Sequence, residues 1–477
     1  MHIKNIAFYT LLMAISFGCT SISNTDDFAY IGGEIISPKN KTVILYNTKG
    51  KVSDTLTLDA NNRFIHKITD LKSGLYSIRH GGEYQMVVLE PNDSIMLRVN
   101  TYDFDASLVF TGKGSKKNNY LIKTYMFNEN EGKKLVEYAQ MEPEAFNAFV
   151  EKRCANQLDE LNTFLEHNKQ SAFFKSIIET TINYSMYADK EIYPFAYFGN
   201  NKLIHFKDLP ENFYAYRKNI DYNANHLSNF FSYNRFLFSH FDNLALTDFY
   251  KHNEYHAAFN RHSVIYNRAK LNLIDSLITD PTIKNNLLKY KVRDFVSQNR
   301  NVFETKNMLD FYFTKSTNDK DKAYIKGLVK SINMLKKGNI LPTIKVINYN
   351  NSEHTLNQII TKPTVLYFWS SNIKAHYKNS RFKIKELKLK FPGIDFISVH
   401  IKDNEVAAWK AIINYYGFAN HNEYRFKNSK TALKTLAVNY VNKAIIVDKT
   451  ARILNANANI YGANFEANLN TLTLGSF

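Results

Sequence analysis

Thiols are the scarcest reactive groups in this chain of 477 residues: Cys19 and Cys154 are its two cysteines. Disulfide exchange needs one nucleophilic thiolate and a second thiol close enough to resolve the mixed disulfide. No Cys-x-x-Cys pair exists here, and two cysteines also exclude a disulfide framework or a multi-cysteine zinc site. Among the imidazoles, His252 and His256 stand four apart with His262 beyond, a spacing that sets two rings on one helical face. Asn253 occupies the place where a zinc protease carries its general-base Glu, and Glu254 is displaced by one, so no metal and no cofactor are expected. His376 stands near a helix start, where the macrodipole favours the neutral ring. With no Ser, Cys or carboxylate partner set by the sequence, it reads as an isolated surface histidine. Ser370 and Ser371 precede it without an evident activating group.

Charge supplies the other candidate chemistry. The chain carries a formal +17 with pI near 9.4, which favours anionic partners without naming one. Residues 341–477 hold 18 basic and 8 acidic residues, a net +10. From Ile373 onward Lys374, Lys378, Arg381, Lys383, Lys385, Lys388 and Lys390 face a single acid, Glu386, while Tyr377, Ile384, Leu387 and Phe391 form the stripe expected to be buried. Lys374, Lys378, Arg381, Lys385 and Lys388 are therefore the candidate contacts to an anionic surface or acidic partner.

Three patterns must position these groups, and together they predict a multidomain α+β chain. Residues 29–114 alternate with period two, in runs such as Val43–Tyr46, Leu75–Ile78, Met86–Leu89 and Ile95–Val99, separated by turn residues such as Asn61-Asn62, Gly81-Gly82 and Pro91-Asn92-Asp93. Strands at such intervals predict an antiparallel β-sandwich. Residues 115–335 change to helical period. There Phe146, Phe149, Val150, Cys154, Leu158, Leu161, Phe164 and Leu165 make one stripe, so Cys154 reads as a buried small hydrophobe rather than a reactive thiol. The aromatic run Phe230, Phe231, Tyr233, Phe236, Phe238 and Phe241 has the spacing of a helix core, although exposed aromatics there would stack on sugars. Residues 341–477 alternate strands and helices.

The N-terminus reads as an export signal. Lys4 precedes the apolar run Ile6–Phe17, whose 12 residues at ~1.5 Å each fall short of the ~30 Å of a bilayer's hydrocarbon. Ser16-Phe17-Gly18-Cys19 resembles a bacterial lipobox, which implies cleavage after residue 18, acylation of Cys19 and attachment to the membrane through it. Residues 19–28 then form a polar tether, and its Asp26-Asp27 pair resembles the acidic signals that send some Bacteroidota lipoproteins to the cell surface. These features place the chain in the cell envelope, lipid-anchored to the outer membrane on its periplasmic or outer face. Nucleic acid is not an expected partner there.

Two further resemblances concern the folded parts. Ile31-x-Gly33-Glu34-Ile35, Glu90-Pro91-Asn92-Asp93-Ser94-Ile95 and Phe110-Thr111-Gly112-Lys113-Gly114-x3-Asn118-x-Tyr120-Leu121 resemble a β-sandwich domain of unknown function that commonly precedes a thioredoxin-like domain in anchored lipoproteins. Pro342-Thr343-Ile344, Lys362–Ser371, and the later Ile394–His400, Ile445–Asp448 and Arg452–Leu454 resemble the TlpA-type branch of the thioredoxin-like family. That resemblance implies an α/β domain with two active cysteines and a cis-proline. The cysteine positions fall on Ile373 and His376, the proline position on Asn442, and the acidic and proline positions after the second cysteine on Asn379 and Arg381. A non-proline cis bond costs about 2.5–4 kcal/mol, so a trans bond is expected at Asn442. The expected function is thus a redox-inactive thioredoxin-like lipoprotein that binds or scaffolds a protein or peptide partner. A thiol-disulfide oxidoreductase, by family analogy, and a glycan-binding module are the alternatives.

Overall fold

The computed structural model describes residues 27–474, except 49, 198–207, 255–258, 299–300, 419–421 and 463. Cys19, the export signal and most of the tether lie outside the described residues. Eight strands come first: β1 (Ala29–Ile36), β2 (Thr42–Tyr46), β3 (Val52–Thr57), β4 (Arg63–Ile68), β5 (Gly74–His80), β6 (Glu83–Leu89), β7 (Ser94–Asn100) and β8 (Val109–Lys113). They form two four-stranded sheets, ordered β4-β1-β7-β8 and β3-β2-β5-β6. Alternation puts Ile95, Leu97 and Val99 of one sheet and Val43 and Leu45 of the other into one apolar core. The expectation of a wholly antiparallel sandwich is corrected at one pair: β1 runs parallel to β7, from Tyr30 beside Ser94 to Ile36 beside Asn100. Period two tells which side chains face inward, whereas strand direction depends on where the chain re-enters the sheet. Here it leaves after β1, builds the strands between, and returns in the same direction.

Eight longer helices follow: α1 (Ser115–Lys133), α2 (Pro143–His167), α3 (Ala172–Ala196), α4 (Phe231–His252), α5 (Val264–Leu277), α6 (Pro281–Gln298), α7 (Val302–Lys315) and α8 (Asp319–Met334). The motif residues at the sheet-to-helix junction bind one another. Asn118 of α1 accepts from Val88 N–H at 2.8 Å and donates to Val88 C=O at 2.9 Å. Lys117 Nζ lies 2.6 Å from Glu90 and 2.7 Å from Asp93. These contacts clamp α1 to the sheet formed by β3, β2, β5 and β6, and to the turn after β6. Phe146, Val150, Cys154 and Leu161 are buried, and burial pushes the Cys154 thiol pKa up. Phe230, Tyr233, Phe236 and Phe241 are core as well, which removes most of the aromatic surface that glycan stacking would need.

The remaining elements are β9 (Lys345–Asn348), β10 (Glu353–Thr355), β11 (Thr364–Trp369), α9 (Lys374–Lys390), β12 (Asp395–His400), α10 (Val406–Tyr415), β13 (Glu423–Phe426), α11 (Ser429–Thr435), β14 (Lys443–Val447), β15 (Ile453–Asn459) and α12 (Phe465–Leu474). One sheet holds them in the order β10-β9-β13-β12-β11-β14-β15. All six residues of β11 are buried, as befits a central strand covered on both faces. A continuous apolar core runs from Val88 through the helices to Phe426 and Val447. Among the described residues, no helix is long and apolar enough to cross a membrane.

Candidate functional site

The loop between β11 and α9 is where the resemblance puts its chemistry. β11 is parallel to β12 and antiparallel to β14, β14 is antiparallel to β15, and α9 makes the crossover from β11 to β12. This segment is a strand-helix-strand unit followed by an antiparallel pair. Its loop reads Ser370-Ser371-Asn372-Ile373, with Ile373 exposed at the helix cap and His376 in the first turn. Neither position carries sulfur. Asn442 lies in the turn before β14, and no described peptide bond is cis.

Ser371 meets polar partners from distant parts of the chain. His400, at the end of β12, donates from Nδ1 to Lys402 C=O at 2.9 Å, so its Nε2 is the acceptor for Ser371 N–H at 3.1 Å. The Ser371 hydroxyl donates to Glu405, and Asn372 Nδ2 donates to the other oxygen of that carboxylate at 3.3 Å. A serine, a histidine and an acid thus meet, but not as a catalytic triad, in which the acid orients the imidazole and the imidazole takes the hydroxyl proton. Here the imidazole lone pair accepts from the Ser371 backbone amide; the Ser371 hydroxyl also lies 3.3 Å from that nitrogen but gives its proton to Glu405, the other ring nitrogen is held by a carbonyl, and all three residues are buried. Burial also depresses the His400 pKa to about 4. The cluster therefore holds the loop's shape rather than activating a nucleophile.

His376 is a second correction. It is 8% exposed rather than on the surface. Neither ring nitrogen has a hydrogen-bond partner among the described residues, and burial lowers its pKa. The ring meets Tyr461 edge-on, 6.3 Å between centroids. Helical period places position 376 beside Tyr377 and Ser380 on the inner face, which a count of the loop's polar residues does not register.

The β5–β6 turn covers this loop. A Cβ placed on Gly82 would stand 2.2 Å from Asn372 Nδ2, so the turn backbone and the Asn372 amide are in direct contact. Beside that turn, burial lowers the Lys39 pKa and raises that of Glu83, with the charge of Glu405 opposing the first shift and adding to the second. Only a residue without a side chain permits this approach.

Arg381 is a third correction, because it is not an outward contact. Its guanidinium binds both oxygens of Glu423, and donates to Tyr367 Oη and Ser398 Oγ at 2.7 Å each. Phe418 lies 4.3 Å from it, ring centroid to guanidinium. One residue of α9 thereby ties the helix to β11, β12 and β13. Lys383 and Lys390 are also engaged, with Glu386 and Glu466. Lys374, Lys378, Lys385 and Lys388 are exposed, with no ion pair among the described residues. Between them lie Phe382, 77% exposed, and Leu389, 81% exposed. Positions 378, 382, 385 and 389 recur at four and three, so lysine and apolar side chains share one outward stripe.

Of the two spaced histidines, His252 is exposed at the end of α4, and His256 lies outside the described residues. No group of three or more potential ligands occurs among the described residues. Sequence reasoning missed His400, Glu405, Glu423 and Gly82. The available signals were slight: a polar residue ending the apolar strand Phe396–His400, an acid just before α10, and a Gly-Gly turn.

No protein-family model matches the chain, and no match is found among curated proteins. Among solved structures, the chain is similar to the thioredoxin domain of a thiol-disulfide oxidoreductase from Bacteroides vulgatus, 19% identical over 29% of this chain and 97% of that one, with a TM-score of 0.25. A thioredoxin-like protein from Porphyromonas gingivalis is 16% identical over 29% of this chain and 94% of its own, with a TM-score of 0.25. A thiol:disulfide interchange protein from Bacteroides sp. is 20% identical over 25% of this chain and 80% of its own, with a TM-score of 0.22.

Proposed function

We propose that this chain is a redox-inactive binding protein, held at the cell envelope by an acylated Cys19, whose α9 face docks an acidic protein segment with apolar side chains. The observation that carries this reading is the outward stripe of α9. Phe382 and Leu389 are more than three-quarters exposed, and burying such a side chain is worth about 1.5–3 kcal/mol. The surrounding lysines select for negative charge in whatever buries them. Thiol exchange has no residue to run on at Ile373 or His376, and the loop between them and β11 is bound inward under the Gly82 turn.

The test is a crosslinking capture from intact envelopes with a photoreactive residue at position 382. A discrete protein adduct, lost when Lys378, Lys385 and Lys388 are changed to Glu, supports the reading. Adducts to lipid alone, or the same adducts in the charge-reversed chain, refute it. Insulin reduction by the purified chain at the blank rate separates it from an oxidoreductase, and loss of envelope retention on Cys19→Ser checks the anchor.

A further inference from the structure

A cavity of about 700 Å³ lies between α7 and α8 on one side and the β15 edge and the 437–443 segment on the other. It is remote in sequence from the β11–α9 loop and shares no residue with the α9 stripe. Its walls are mostly apolar, with Leu309, Val329, Ile332, Leu335, Leu454 and Ala456 facing the space. Among the described residues, four lysines and no acid line it, in a chain with 44 acidic residues. Lys443 is spent within the protein, donating to Leu436 and Ala437 carbonyls at 2.8 and 2.9 Å. Lys306, Lys336 and Lys337 are exposed and so mark the solvent side. On β15, Asn455 gives its side-chain oxygen to Asn457 N–H at 2.9 Å, and Asn457 gives its own to Tyr440 Oη at 3.1 Å. Each amide also carries an NH2, a donor.

From this arrangement we infer that the cavity binds an anionic amphiphile, one apolar chain ending in a carboxylate. The volume falls within the ~300–1,000 Å³ usual for small-ligand sites. An apolar chain replaces water against the aliphatic walls, and the carboxylate meets ammonium and amide donors at the mouth with no acid to repel it. A cationic or zwitterionic ligand would leave the three lysines uncompensated. A long peptide would need acceptors for its own N–H groups along walls that offer mainly side-chain methyls.

The test is calorimetric titration of the full chain carrying Cys19→Ser with dodecanoate, dodecanol and acetate, each below its aggregation concentration. One dodecanoate is expected to bind per chain, dodecanol at least ten-fold more weakly, and acetate without measurable heat. Changing Lys306, Lys336 and Lys337 together to Gln is expected to weaken dodecanoate about ten-fold and leave dodecanol unaltered, while Ala456→Trp abolishes both. Should Ala456→Trp fail to fold, Val329→Phe narrows the same cavity from the helical side. Equal affinity for dodecanoate and dodecanol, full binding after the cavity is filled in a folded variant, or no binding at all overturns the assignment.

Discussion

Acidification should loosen the fold through His400, and the size of the effect can be worked from its environment. The ring is held neutral with a pKa depressed to about 4, against 6.5 for a free histidine, because burial excludes the charged form. Above pH ~6.5 neither the folded nor the unfolded chain carries charge at this ring, and its contribution to stability is complete. As pH falls, the unfolded chain takes the proton first, and the loss grows until the folded ring itself titrates near pH 4. A difference of ~2.5 units at ~1.4 kcal/mol per unit sets a ceiling of about 3 kcal/mol, of which about 2.5 kcal/mol is lost by pH ~4.5. The perturbation is His400→Gln, whose amide oxygen can still accept from Ser371 N–H but does not titrate. Urea unfolding of both proteins at pH 7 and pH 4.5, followed by tryptophan fluorescence, reads the difference, since Trp369 lies 4.7 Å from the His400 ring. His80 and His376, also depressed by burial, act in the same direction in both proteins and cancel. An equal pH-dependent loss in wild type and variant would refute the claim that His400 is buried neutral.

Three other outcomes follow from the packing. Arg381→Ala should cost about 3–5 kcal/mol in urea unfolding, because it strands the buried Glu423 carboxylate, while Lys385→Ala on the same helix should cost under ~0.5 kcal/mol; similar costs would mean Arg381 is solvated. Gly82→Ala should destabilise by about 1 kcal/mol in wild type and by much less alongside Asn372→Ala, since the three atoms nearest the new methyl all belong to the Asn372 side chain. A double-mutant cycle with no coupling would show that the turn does not rest on the loop. Cys154, in the Cys19→Ser chain, should resist a thiol reagent such as Ellman's at pH 8 and react fully in urea, because its thiol is buried with a raised pKa; rapid native labelling would place it outside the core.

Much of the architecture was legible in the residues taken in order. Alternation announced β2, β5, β6 and β7, and the helical stripe through Phe146, Val150, Cys154 and Leu161 announced α2 and its buried thiol. The absence of sulfur at Ile373 and His376 was readable directly. Each of these depends on local periodicity or on residue type at one position, which a chain displays without folding. The same reasoning erred where one face of a helix had to be judged from composition. Arg381 sits among outward lysines in sequence, yet it turns inward because Glu423, Tyr367 and Ser398 wait there.

Those partners arrive from β11, β12 and β13, and no pattern within α9 foretells them. Glu423 is 42 residues from Arg381, and Glu405 is 34 residues from Ser371. The parallel pairing of β1 with β7, the Gly82 turn resting on Asn372, and the cavity between α8 and β15 are of the same kind. By itself the sequence determined the kinds of elements, their order, and the absence of sulfur at Ile373 and His376, since these rest on periodicity and on which functional groups exist at all. Which polar groups meet, which charges are spent and which remain exposed was decided only when distant strands and helices stacked. A buried ion needs a partner within hydrogen-bonding reach, and that reach is measured in space rather than along the chain.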